Sequence, residues 1–124
     1  MHQWDDKSPI YRQLSDQISS QIRDGDWTEG EALPSVRVVA ADLKINHLTV
    51  MKSYQLLVDD ALVEKRRGQG MFVCAGAVAA LKAKERQNFI DVDIPALAEK
   101  LTRMEISIEE MNKQLNVLLR GQDE

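Results

Sequence analysis

Cysteine occurs once in the 124 residues, as Cys74. A lone thiol excludes an internal disulfide framework and any zinc knuckle built on several cysteines; Cys74 itself, beside Val73 at a strand end, reads as a small buried hydrophobe. Aromatic residues make up only 5% of the chain, and Trp4 and Trp27 read as packing anchors rather than stacking platforms. No apolar run approaches the roughly 18 residues that a membrane span needs. The opening, Met1-His2-Gln3-Trp4-Asp5-Asp6, lacks a basic stretch followed by an apolar one. The expectation from these absences is a cytoplasmic protein with no membrane partner.

An overall basic balance is missing as well. Sixteen Lys and Arg face 20 Asp and Glu, a formal net charge of −4, whereas nucleic-acid binders usually carry a basic footprint. Phosphate contacts need only a local patch, however. Residues 44–73 hold five cations (Lys44, Lys52, Lys65, Arg66, Arg67) against Asp59, Asp60 and Glu64, a net +2 that leaves −6 elsewhere. The positive charge is short and central.

What is present reads as three helices and a hairpin. Ser8-Pro9 is a helix start, a capping hydroxyl followed by a proline suited to the first helical position. Tyr11, Leu14, Ile18 and Ile22 follow at helical spacing, and Gly25 suits a left-handed cap. Residues 26–34 read as a loop. Ser35 can cap a short second helix with Val36, Val39, Ala40 and Leu43 inward. After the turn Lys44-Ile45-Asn46, Asn46 can cap a third helix from about His47 to Asp59, with Val50, Tyr54, Leu57 and Val58 as its apolar face. Two β-prone runs, Leu62–Arg66 and Met71–Cys74, flank Arg67-Gly68-Gln69-Gly70, a hairpin signal. That order is a winged helix-turn-helix. The fold expected is mostly α with a small β-hairpin: a winged helix-turn-helix domain over 1–75, then a two-helix tail over 76–124.

Two features of that head point to DNA. A recognition helix needs an apolar back and a polar or basic front that can enter the major groove, and Asn46, His47, Thr49 and Lys52 supply that front. In the hairpin, Lys65-Arg66-Arg67 runs into Gly68-Gln69-Gly70, so cations flank a turn whose glycines allow close backbone approach to a phosphate. The blander alternatives are solvated helix positions and charges that protect a sheet edge.

In the tail, residues 77–88 read as one helix, and Asp93 as the cap of a last one with Pro95 in its first turn. That last helix places Leu97, Leu101, Met104, Ile108, Met111, Leu115 and Leu118 at alternating steps of four and three, the seam of a helix that pairs with another. The expected use is homodimerisation, with folding back onto its own domain as the alternative. Groups for catalysis are sparse. His2 and His47 lie apart, and there is no H-x-x-x-H, paired-carboxylate or Gly-x-Ser-x-Gly arrangement. Gly68-Gln69-Gly70 lacks the Gly-Lys-Ser/Thr of a phosphate loop. The reading is a non-enzyme without metal or cofactor.

Ser8-Pro9-Ile10-Tyr11-Arg12-Gln13-Leu14, Gly30-Glu31-Ala32-Leu33-Pro34-Ser35-Val36-Arg37, Asn46-His47-Leu48-Thr49-Val50-Met51-Lys52-Ser53-Tyr54 and Gly68-Gln69-Gly70-Met71-Phe72-Val73 together resemble the GntR family of bacterial transcription regulators over residues 8–74. The short helical tail looks like the YtrA-like branch, whose tail is too small for the larger effector domains of other branches. The resemblance implies a dimeric repressor that binds double-stranded operator DNA with an inverted repeat, under an effector that the sequence does not identify. It implies that Arg37, in Pro-Ser-x-Arg, binds a backbone phosphate and orients the motif on the duplex, with Ser35 of the same motif among the DNA-binding residues. Asn46, His47, Thr49 and Lys52 would face the groove, and Arg66, Arg67, Gly68, Gln69 and Gly70 would form the wing. His47 stands where many relatives place arginine or proline, and it cannot make arginine's two-pronged guanine contact; its neighbour Leu48 could touch a thymine methyl. Ala61 stands where relatives usually carry glycine, so a positive φ there would cost stability. The alternative function is a winged-helix protein-interaction adaptor without DNA binding, which the negative charge favours and the basic wing opposes.

Overall fold

The structure, a computed structural model, describes residues 4–122; His2 lies outside them. The chain divides into two compact units that meet after Ala83, so the start of the fourth helix belongs to the first unit, past the 75/76 boundary that composition suggests.

In the first unit, α1 (Ile10–Asp24), α2 (Val36–Leu43) and α3 (His47–Asp59) precede an antiparallel hairpin of β1 (Val63–Arg66) and β2 (Gly70–Val73), and α4 (Ala77–Asn88) begins after it. The expected face of α1 is the buried one: Leu14, Ile18 and Ile22 enter the core, and Gly25 closes the helix in the left-handed conformation. Its start differs from expectation. Pro9 occupies the cap position, with no side-chain cap bond from Ser8. The Gln13 amide instead reaches back, donating to the carbonyls of Ser8 (2.7 Å) and Asp5 (2.9 Å).

Val50, Tyr54 and Leu57 bring α3 onto α1. The Ser53 hydroxyl is buried there, and it donates to the Tyr11 carbonyl at 2.6 Å. A buried hydroxyl needs such a partner. Tyr54 donates to the Pro34 carbonyl at 2.6 Å, and burial pushes its phenol up to about 12.

Residues 26–34 are more than a loop. Leu33 is buried, Gly30 N–H and Leu33 N–H donate to the carbonyls of Val73 and Met71 at 2.8 Å, and Val73 N–H donates to the Glu31 carbonyl at 2.9 Å. The segment thereby pairs with the outer edge of β2 and braces the hairpin, since a two-stranded ribbon alone is marginal in water. Glu29 reaches α4: its carboxylate accepts from Gly76 N–H (2.8 Å) and Val78 N–H (3.1 Å), which holds it below its ordinary 4.5. Cys74 is half-buried rather than buried, and desolvation raises its thiol.

The second unit corrects the tail. Asp93 caps nothing: its backbone is α-helical, and a π-helical turn, Phe89–Asp93, leads directly into α5 (Ile94–Met104). That widened turn sits where Pro95 would otherwise remove a hydrogen bond and clash with the preceding turn. The break comes later. Glu105 adopts φ 57°, and Ile106 N–H returns to the Leu101 carbonyl at 2.9 Å. Ser107 then caps α6 (Ile108–Gln122) by accepting from Glu110 N–H at 3.1 Å. The heptad steps therefore run across a turn, and Leu97, Leu101 and Met104 lie on a different helix from Ile108, Met111, Leu115 and Leu118. Ser107-Ile108-Glu109-Glu110 is a capping-box sequence, the local signal that an unbroken repeat hides.

Candidate nucleic-acid interface

The turn between α2 and α3 sets the reading face. Ser35 caps α2, its hydroxyl oxygen accepting from Val38 N–H at 3.2 Å; the hydroxyl proton stays available to a phosphate. Arg37 stands exposed in the first turn of α2. Lys44 turns the chain with φ 56°, and Asn46 caps α3 by accepting from Leu48 N–H at 2.8 Å. The cap uses the Asn46 carbonyl and leaves its amide N–H groups as donors to a base edge. The two caps explain why α2 and α3 start where they do, and the core-facing Val50, Ser53, Tyr54 and Leu57 fix which side of α3 faces out.

That outer side carries His47, Leu48, Met51 and Lys52, all exposed, with Thr49 half-buried. Lys52 does not extend freely: its ammonium lies 4.1 Å from the centre of the Tyr11 ring. A cation held over an aromatic face keeps its charge while losing side-chain freedom. Met51 is the residue that sequence reasoning passed over. It sits three places beyond Leu48 and so on the same helical face, a signal that could have been used.

In the wing, Arg66 pairs with Gly70 across the hairpin and Gln69 N–H closes the turn onto the Arg66 carbonyl at 2.8 Å. Gly68 (φ 76°) and Gly70 (φ 112°) adopt backbone that side chains resist, so the tip needs glycine at both. The two arginines differ. Arg66 stacks 4.1 Å over Phe72 and shares a carboxylate oxygen of Glu64 at 3.0 Å. Glu64, Arg66 and Phe72 share one face of the ribbon because strand side chains alternate. Arg67, by contrast, is exposed at the turn with Gly68 and Gln69. The structure thus brings α2, α3 and the hairpin together around one core, and holds Arg66 and Lys52 against neighbours.

Residues 10–73 match the family model described as "Bacterial regulatory proteins, gntR family". The chain belongs to the GntR family. Over 122 residues it is 30% identical to the HTH-type transcriptional regulator YhcF of Bacillus subtilis (strain 168), covering 97% of this chain and 98% of that protein. It is 34% identical over 74 residues to the HTH-type transcriptional repressor YtrA of the same organism, 60% of this chain and 57% of YtrA. Among solved structures, a transcriptional regulator from Oenococcus oeni superposes with a TM-score of 0.79 at 30% identity, covering 95% and 97% of the two chains. As a GntR-family regulator of the YtrA-like branch, the chain is a winged helix-turn-helix transcription regulator with DNA as its partner, and not an enzyme. Nothing in these matches favours the adaptor. Among the described residues no helix is long and apolar enough to cross a membrane.

Proposed function

We propose that this regulator is a cytoplasmic, dimeric repressor that occupies an inverted-repeat operator, with residues 4–83 as the reading head and the tail as the pairing element. The observation that carries the reading is the exposed front of the capped α3, in the same small domain as the Arg67-Gly68-Gln69 tip. Ser35 and Arg37 meet the phosphate backbone. Asn46, His47, Thr49 and Lys52 face the major groove, and the wing, with Arg67 leading and Arg66, Gly68, Gln69 and Gly70 shaping it, reaches the adjoining backbone or minor groove. Phosphate contacts position and base contacts specify. Pairing through Leu97, Leu101, Met104, Ile108, Met111, Leu115 and Leu118 brings two heads onto one duplex, since dimers read half-sites one helical turn apart. The repressor names of YtrA and of NagR, 35% identical over 65 residues, support the sign of regulation.

The test is selection of bound duplexes from a random pool, followed by affinity against salt. An enriched inverted repeat is the expected result. Arg37→Ala then weakens binding to every sequence alike and lowers the salt slope by about one. Unchanged affinity and slope would remove Arg37 from the backbone contact, and no binding at low salt would overturn the proposal.

A further inference from the structure

The front of α3 is unusually apolar for a surface that meets DNA. Leu48 is 67% exposed and Met51 47% exposed, and neither is needed by the core, which Val50, Ser53, Tyr54 and Leu57 fill from the other side. Exposed apolar side chains scattered over a surface need no explanation. These two are adjacent, three positions apart, on the helix that the domain presents. The polar groups around them have limited reach for discrimination. Asn46 has given its carbonyl to the helix cap, Lys52 rests on Tyr11, and the single imidazole of His47 cannot take guanine with two bonds.

From these observations we propose that Leu48 and Met51 are specificity-determining residues that read the C5-methyl groups of thymines at two neighbouring base pairs in each half-site. The thymine methyl is the one apolar mark in the major groove, and apolar side chains are its partners. The spacing agrees: three residues advance a helix by about 4.5 Å, and one base pair advances the duplex by about 3.4 Å, so successive readers meet successive pairs. Side chains without charge neutralise no phosphate, so this contribution is independent of salt. The inference rests on the DNA-reading assignment above and adds the chemistry that the helix recognises.

The experiment removes methyls from the DNA and leaves the protein untouched. In the selected operator, each thymine is replaced singly by uracil and the affinity of the full chain is measured. Two neighbouring positions per half-site should each lose about fourfold, the effect of one buried methyl-sized group, with the salt slope unchanged. In Leu48→Ala one of the two losses disappears, and in Met51→Ala the other does. Both side chains are exposed, so neither variant threatens the fold. Tight, selective binding that is indifferent to uracil at every position would overturn the methyl reading while leaving the regulator intact. Losses that persist in both alanine variants would also overturn it. Failure to bind any duplex at low salt would overturn the regulator assignment and this inference with it.

Discussion

Eleven hydrophobic side chains from Leu14 to Ala77 are buried in the first unit, whereas none of residues 84–121 is buried. The first unit closes over its own apolar surface from three directions: α1 and α3 through Ile18, Val50 and Leu57, the hairpin through Val63 and Val73, and residues 26–34 through Leu33. The second unit half-buries Leu97, Leu101, Ile106 and Met111 and leaves Ile108, Val117, Leu118 and Leu119 more than half exposed. Short helices draw most of their stability from a packed apolar face. A small domain can therefore stand alone when its elements converge on one core. Two helices joined by a tight turn have only one inward side each, so apolar residues stay outside, where the proposed pairing with a second copy would cover them.

The largest effects are expected at the tail. Leu115→Lys with Leu118→Lys should give monomers by sedimentation velocity and weaken operator binding by about a hundredfold or more, the scale of lost bivalency. A surviving dimer would move the pairing surface away from α6. The next largest contrast is stability. Both tryptophans lie in the first unit, so their fluorescence follows its unfolding. In urea, Leu57→Ala should cost that transition about 3 kcal/mol, as a fully buried large-to-small change does, while Leu118→Ala should alter it by less than about 0.5 kcal/mol. Equal shifts would mean that the two units unfold as one.

Smaller effects are expected within the first unit. Ala61 holds φ 60°, as the resemblance to glycine-bearing relatives anticipates, and Ala61→Gly should stabilise the head by about 1 kcal/mol by relieving left-handed strain. The least effect concerns pH. Glu29 is held below its ordinary 4.5 by the two N–H groups at the start of α4. Its contribution is therefore present above pH 4.5 and lost as pH falls through the lowered folded value. Glu29→Gln should flatten the acid limb of the urea midpoint between pH 5 and 2, and an unchanged limb would show that the carboxylate contributes nothing to anchoring α4.

Much of the head was legible in the residue order because its signals are local. Ser35 and Asn46 cap the helices they precede, Gly25 ends α1, and Gly68 with Gly70 makes the hairpin turn, each through backbone chemistry within a few residues. The front of α3 followed from the spacing of its apolar back. The tail was legible only in part. A repeat of four and three spanned Glu105–Ser107 without interruption, so periodicity favoured one helix where the left-handed Glu105 and the Ser107 cap make two. Periodicity counts spacing and is blind to a turn that happens to preserve it. At the front of α1 no side chain caps the helix; the Gln13 amide donates to the Ser8 and Asp5 carbonyls and so ties down the segment that leads into it.

Within the first unit, residue order was enough for the element order, the caps at Ser35 and Asn46, the basic wing and the apolar faces, because these depend on neighbours along the chain. Only tertiary structure set that residues 30–33 pair with β2, that Glu29 holds the start of α4, that Lys52 rests on Tyr11, and which seam residues stay exposed. Those outcomes join groups from about 40 to nearly 50 positions apart, or depend on which face of a packed element is left uncovered. Only the closing of the core brings such groups within hydrogen-bonding or van der Waals reach.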